Sequence, residues 1–298
     1  MVKKQTDILL PDGSYMPRLG QGTWQMGEDD AQYDREIAGL RHGIQEGIRM
    51  LDTAEMYADG KAENITGNAI KHFCREDLYV VSKVYPQNAN QHRIYSSLER
   101  SLKLIGTDYL DLYYVHKPNP AIPVAETAAA FNELIKQKMI KHVGLSNAGV
   151  ETMKQYAAVL DVPIFAAQCH YNLIVREPER KGVLKYCREN NIHFIAWRPI
   201  QLPSEKFNIH GLFEKGAYPL LDQIAGKYNV SNAQVAVRWL TAQENVGLIF
   251  KTGNPQHLRE IIDAVDLWID PADLKELTDH FPRQEDVGFT TNGKAPLI

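Results

Sequence analysis

"LYVVSKVYPQNANQHRIYSSLERSLKLIGTDYLDLYYVH", residues 78 to 116, contains one complete structural unit. It opens on a β-rich apolar run, LYVVSKV at 78 to 84, and closes on another, LDLYYVH at 110 to 116. In the intervening QHRIYSSLERSLKLIG, Ile94, Leu98 and Leu102 recur at helical spacing, and Gly106 stands where a helix stop belongs. Strand, helix, strand predicts a right-handed parallel crossover. The first run carries Lys83 next to its end and the second ends on His116.

Working outward, the same alternation recurs. Further strand candidates are LGQGTW at 19 to 24, RMLDTA at 49 to 54, IKHVGLSN at 140 to 147, FAAQCHY at 165 to 171, HFIAWRP at 193 to 199 and GLIFKT at 247 to 252. Eight strands with helical segments between them, in about 250 residues, fit a (β/α)8 TIM barrel better than an open doubly wound sheet. ILLPDGSYM reads as a small hairpin around Asp12-Gly13 placed before the barrel. The long gap from Pro199 to Gly247 reads as a loop followed by one extra helical unit around NAQVAVRWLTAQ. After the last strand, DPADLKELTDHF reads as a supplementary helix and PRQEDVGFTTNGKAPLI as a polar tail. No linker interrupts the pattern, so residues 1–298 are expected to form a single barrel domain.

The bulk properties narrow the function. Hydrophobic residues make up 44% of the 298, enough for a sizeable core. The net charge of -4 is mild, and no lysine or arginine run could neutralise a string of phosphates, which argues against nucleic acid. The N-terminus lacks the apolar core of a secretory signal, and no apolar run reaches the roughly 18 residues of a membrane span, which predicts a soluble, cytoplasmic protein. Cys74, Cys169 and Cys187 are too few and too scattered for a disulfide framework, and Cys169 with His170 lacks partners at zinc-ligand spacing. No metal site is expected, and nothing in the chain requires more than a monomer.

Every strand candidate ends in a polar residue or an indole: Thr23 and Trp24, Asp52, Lys83, His116, Ser146 and Asn147, Gln168, Trp197 and Arg198, Lys251. In a parallel barrel these ends meet on one rim, where barrel active sites lie. Tyr57 follows Asp52 by five residues, on the loop just beyond the strand. A phenol with a pKa near 10 is a poor acid or base at neutral pH. An ammonium at about 4 Å favours its phenolate by up to roughly 4 kcal/mol at an effective dielectric of 20, which predicts a phenol lowered by one or two units. Asp52 would keep Lys83 charged and aimed, and His116 could orient a carbonyl. Each residue also has an ordinary structural explanation, Lys83 with Asp52 as an ion pair and His116 as a satisfied rim histidine. Glu55 receives no role in this chemistry.

The remaining rim residues suit a flat amide ligand. Ser146, Asn147 and Gln168 offer carboxamide-binding groups and Trp197 a stacking face. In KTGNPQHLRE, Lys251 and a helix N-terminus near Pro255 could hold a phosphate. The GQG at 20 to 22 continues to Gln25 rather than to a third glycine, so a Rossmann fingerprint is absent. A nicotinamide dinucleotide lying across a barrel accounts for this set.

The stretches LGQGTWQMG, LDTAEMYADGKAENITGNAI, VVSKV, IGTDYLDLYYVHKPN, IKHVGLSN, AAQCHYN, FIAWRPI and HLRE, spanning residues 18 to 265, closely resemble the aldo-keto reductases, specifically the soluble bacterial-type members. The resemblance implies NAD(P)H-dependent reduction of aldehydes and ketones, with NADPH favoured and NADH possible, and a catalytic tetrad of Asp52, Tyr57, Lys83 and His116. It implies a coenzyme site of Thr23, Trp24, Asp52, Ser146, Asn147, Gln168, Trp197, Arg198, Pro199, Ile200, Leu202, Lys251, Thr252, Gly253, His257 and Glu260. It implies a substrate pocket lined by Trp24, Tyr57, Tyr85, His116 and Lys117, with the tail around Phe289 over it. Departures from the family pattern are Trp197 for a stacking tyrosine, Arg198 for a small serine, His257 for an arginine at the 2′-phosphate and Ile261 for an adenine-facing asparagine. Lys117 replaces an aromatic after the histidine. Arg198 could reach the pyrophosphate or point to solvent; Lys117 could draw acidic carbonyl substrates or turn to water. Two other functions fit the barrel, a nucleotide-binding regulatory or sensor protein with little turnover, and an aldolase-like Schiff base on Lys83, which the paired Asp52 disfavours.

Overall fold

The structure, a computed structural model, describes residues 7–200 and 218–281. The chain begins with an antiparallel hairpin, β1 (Asp7–Leu9) and β2 (Tyr15–Pro17), which turns at Gly13 with φ 83°. Eight parallel strands then close into a barrel: β3 (Leu19–Gly22), β4 (Met50–Asp52), β5 (Tyr79–Val84), β6 (Leu110–Val115), β7 (Ile140–Ser146), β8 (Ile164–His170), β9 (His193–Trp197) and β10 (Val246–Phe250). Each pairs with its sequence neighbour, and β10 pairs with β3 to complete the ring. This is the (β/α)8 barrel expected from the sequence.

Helices fill the crossovers. They are α1 (Tyr33–Gln45), α2 (Lys61–Ile70), α3 (Ile94–Ile105), α4 (Val124–Lys136), α5 (Val150–Ala157), α6 (Glu177–Arg180), α7 (Val183–Glu189), α8 (Pro219–Tyr228), α9 (Asn232–Thr241), α10 (Pro255–Ala264) and α11 (Pro271–His280). In α3, Ile94, Leu98 and Leu102 are buried as their spacing predicts, and Gly106 ends the helix in the left-handed region at φ 74°. The β9 to β10 crossover holds two described helices, α8 and α9, where one was expected; Ser231 and Gln234 form a capping box that starts the second. Asp270 caps α11, its side chain accepting from the Ala272 amide at 2.8 Å. Among the described residues no helix is long and apolar enough to cross a membrane.

Two apolar layers result. One lies between the strands and the helices, with Leu51, Val80, Leu98, Tyr113, Phe131 and Phe194. The other fills the barrel interior, where Ile8, Leu10 and Met16 of the hairpin pack with Met50, Val81, Leu112, Tyr114 and Ile195. The hairpin therefore caps the floor, the end at which the strands begin. The mouth, at the strand ends, is left to polar residues. Several strands stop one or two residues before the apolar runs do, so Thr23, Trp24, His116 and Lys251 lie just past their strands, where side chains can turn over the rim.

Candidate active site

Asp52 is the last residue of β4, and Lys83 stands next to the end of β5. Lys83 is fully buried, and Asp52 is 1% exposed. The ammonium donates to the Asp52 carboxylate and, at 2.9 Å, to the Thr53 carbonyl. The second Asp52 oxygen accepts from Gln168 Nε2 at 2.8 Å, across the barrel from β8. Thr23 holds the Asp52 carbonyl through its amide at 2.9 Å and its hydroxyl at 3.1 Å. Asp52 is thus fixed from β3, β5 and β8 together. Burial depresses the Lys83 pKa, yet Asp52 and Tyr57 outweigh it and the ammonium is held above its ordinary value.

Tyr57 reaches this pair because of the backbone after it. Ala58, Asp59 and Gly60 adopt φ 47°, 52° and 85°, a left-handed run that turns the chain straight into α2. Arg100 holds the turn through the Asp59 carbonyl at 2.7 Å. The Lys83 ammonium lies 5.1 Å from the centre of the Tyr57 ring. The expectation of a lowered phenol pKa is not met. Burial raises it, and although the Lys83 charge and hydrogen bond pull it down, Asp52 opposes them and the net shift is upward. Desolvating a phenolate costs more here than one ammonium shared with a carboxylate returns. The phenol is therefore protonated at neutral pH.

His116, one residue past β6, meets Tyr57 edge to face with ring centres 5.6 Å apart. Burial and the Lys83 charge push its pKa down to about 3, so the imidazole is neutral. Its Nδ1 has no hydrogen-bond partner among the described residues. A protonated phenol and a neutral imidazole face the same space above a buried cation. Such a group can donate a proton to an oxygen and polarise it without carrying net charge to the site.

The residues expected to hold a coenzyme line the other side. Asn147, at φ 54°, donates to the His116 carbonyl and to Ser146 Oγ, both at 3.0 Å, and accepts from Trp197 Nε1 at 3.2 Å. His170 covers one face of the Trp197 indole, with ring centres 4.2 Å apart. Pro199 is buried and Ile200 packs against the core. Lys251 donates to the Trp24 carbonyl at 3.1 Å, and Asn254 caps α10 by accepting from the Gln256 amide at 2.9 Å. Thr252 and Gly253 form the turn before that helix, and His257 is exposed on it. Gln256 donates to Glu260 at 3.2 Å. Ile261 is a core residue and presents no polar group. Leu202 and Phe289 lie outside the described residues.

Three residues take unexpected positions. Glu55, set aside in the sequence, accepts from the Tyr85 amide and from Asn88 Nδ2 at 3.3 Å, and so ties the loop after β5 to the rim. Arg198 turns inward, its guanidinium 4.7 Å from the centre of the Trp24 ring. Asn172 carries the Arg198 backbone, a task that the AAQCHYN stretch contained without announcing it. Lys117 is exposed.

Comparison with known proteins gives consistent matches. A family model described as the Aldo/keto reductase family matches residues 18–281. The methylglyoxal reductase YeaE of Escherichia coli K12 is 34% identical over 271 residues, which cover 90% of this chain and 92% of the relative. An aldo/keto reductase from Klebsiella pneumoniae, solved with NADP and acetate, is 31% identical with a TM-score of 0.84 and covers 95% of this chain and 98% of its own. A Klebsiella pneumoniae aldo-keto reductase solved with NADPH is 30% identical with a TM-score of 0.82, over 96% and 99% of the two chains.

Proposed function

The chain belongs to the aldo/keto reductase family, and on that premise we propose a division of labour for its reaction, the NADPH-dependent reduction of aldehydes and ketones to alcohols. The observation that carries the assignment is the Tyr57 ring set 5.1 Å from the Lys83 ammonium and edge to face with His116, beside the buried Lys83–Asp52 pair.

Tyr57 donates the proton to the carbonyl oxygen. His116, neutral throughout the physiological range, hydrogen-bonds that oxygen and sets its direction. Lys83 stabilises the phenolate that forms, at a point where burial would otherwise make it costly, and Asp52 keeps Lys83 charged and pointed at the phenol. Gln168 and Thr23 hold Asp52 in place. The donor set at the opposite side of the mouth fits a nicotinamide dinucleotide: Ser146, Asn147 and Gln168 for the carboxamide, the Trp197 indole for the ring, and Lys251 with Thr252, Gly253 and the N-terminus of α10 for the adenosine phosphate. His257 and Glu260 lie further along that helix. NADPH, when bound, supplies a hydride to the carbonyl carbon. Lys251 favours NADPH, and the exposed His257 in place of an arginine leaves use of NADH open to measurement. Trp24 and Tyr85 wall the substrate side.

The same reading has the whole chain, 1–298, as one domain acting in the cytoplasm as a monomer on a small carbonyl compound, apart from nucleic acid. A regulatory barrel without turnover is disfavoured by the intact proton-donating set. The test is NADPH oxidation with a reactive aromatic aldehyde. Tyr57→Phe is expected to abolish it while coenzyme fluorescence titration shows unchanged binding; turnover surviving in that variant sinks the assignment of the acid.

A further inference from the structure

Arg198 has no part in the proton transfer just described, yet its backbone is held in an unusual conformation. It follows β9 with φ 50°, a left-handed conformation that long side chains seldom adopt. Its carbonyl accepts from Asn172 Nδ2 at 2.9 Å. Asn172 is fully buried and its Oδ1 accepts from the Ile174 and Val175 amides at 2.9 and 2.8 Å, so the loop after β8 dictates the turn. The side chain lays its guanidinium 4.7 Å from the Trp24 ring centre and 5.5 Å from that of Trp197.

Stacking on an indole uses the face of a guanidinium, whereas its N–H donors radiate in the plane. That planar fork matches a carboxylate in a bidentate geometry. The guanidinium lies against Trp24, the expected wall of the substrate pocket, and its charge favours ionisation of the Tyr57 phenol. The adenosine phosphate of the coenzyme has Lys251 and the capped N-terminus of α10 at the end of β10. Lys117, the other cation at the expected substrate pocket, is exposed on the loop after β6.

We propose that Arg198 is a specificity-determining residue that selects carbonyl substrates bearing a carboxylate, gripping the acid group while the carbonyl oxygen lies between Tyr57 and His116. Trp24 fixes the guanidinium and Asn172 fixes the backbone that aims it. The inference rests on the carbonyl-reductase reading above and adds a substrate class to it.

The experiment compares 4-carboxybenzaldehyde with its neutral counterpart, methyl 4-formylbenzoate, in wild type, Arg198→Met and Arg198→Lys, alongside NADPH titration by fluorescence. Wild type is expected to prefer the acid. In Arg198→Met the acid-to-ester ratio of kcat/KM falls by about 10- to 100-fold, the loss typical of a charge-assisted hydrogen bond, with NADPH affinity retained. Arg198→Lys, which keeps the charge without the fork, falls in between. An unchanged ratio overturns the inference. So does an equal fall for both aldehydes accompanied by weaker NADPH binding, which would assign Arg198 to the coenzyme diphosphate. Those two results leave the reductase reading standing, whereas failure of wild type to reduce either aldehyde removes that reading and this inference together.

Discussion

The barrel contains the same three residue types at both of its ends. At the mouth Lys83 pairs with Asp52 beside Tyr57; at the floor Lys141 donates to Asp111 at 2.8 Å and lies 4.4 Å from the Tyr109 ring. At the floor a second cation joins, because Arg75 also pairs with Asp111 at 2.8 Å and stacks 4.1 Å from Tyr109. The Lys141 side chain is 52% exposed and that of Lys83 is wholly buried. The floor trio is an over-neutralised, solvent-screened ion pair that secures strand ends, with Asp111 also accepting from the Val80 amide at 2.8 Å. The mouth trio has one cation for one carboxylate, both buried, a phenol kept protonated, and a neutral histidine beside it. An aspartate, a lysine and a tyrosine together are therefore not yet a site. Burial, charge balance and the neighbouring imidazole make one.

Removing the lysines separates the two ends most strongly. Lys83→Met leaves Asp52 buried and unpaired, which is expected to cost about 3–5 kcal/mol of stability by urea unfolding and at least about 100-fold in kcat. Lys141→Met leaves Arg75 on Asp111, and the expected loss is about 1 kcal/mol or less with turnover retained. Equal losses in the two variants would erase the distinction.

A smaller effect comes from the histidines. His116 at the mouth and His193 at the floor are both held neutral by burial, down to about 3 and about 4. His193 lies by Ser14 at 3.3 Å, with Asp12 raising its pKa and His142 lowering it. Because the folded pKa lies below the unfolded value near 6.5, the stabilising contribution is complete above about pH 6.5 and is lost as pH falls toward the folded pKa. For His193 the loss down to pH 4 is on the order of 3 kcal/mol. Unfolding midpoints measured from pH 7 to 4 should fall accordingly, and His193→Gln should flatten that decline. A decline as steep in His193→Gln as in wild type would place its origin elsewhere.

How far the sequence carried these distinctions follows from where the signal resides. The eight strands were legible because each is an apolar run bounded by turn-forming or helical segments, and Asp52, Lys83 and His116 because they end such runs. The position of Gln168 on Asp52 was not, since it depends on a contact across the barrel between residues 116 apart in sequence. The sign of the Tyr57 shift was missed for a related reason. Counting charges gives the attraction of Lys83, but the desolvation that exceeds it arises only in the folded chain. Glu55 and Asn172 act by holding backbone, at Tyr85 and Arg198, and side-chain chemistry alone does not reveal such partners. The inward turn of Arg198 depends on one positive φ that no residue type demands.

On the proposed reading the mouth trio and not the floor trio donates the proton. The direct test is kcat/KM for a reactive aromatic aldehyde in Tyr57→Phe and Tyr109→Phe, assayed side by side with coenzyme binding verified in each. The prediction is a loss of at least about 100-fold for Tyr57→Phe and a change of less than about twofold for Tyr109→Phe, which removes only a half-buried hydroxyl. Comparable activity in the two variants would contradict it.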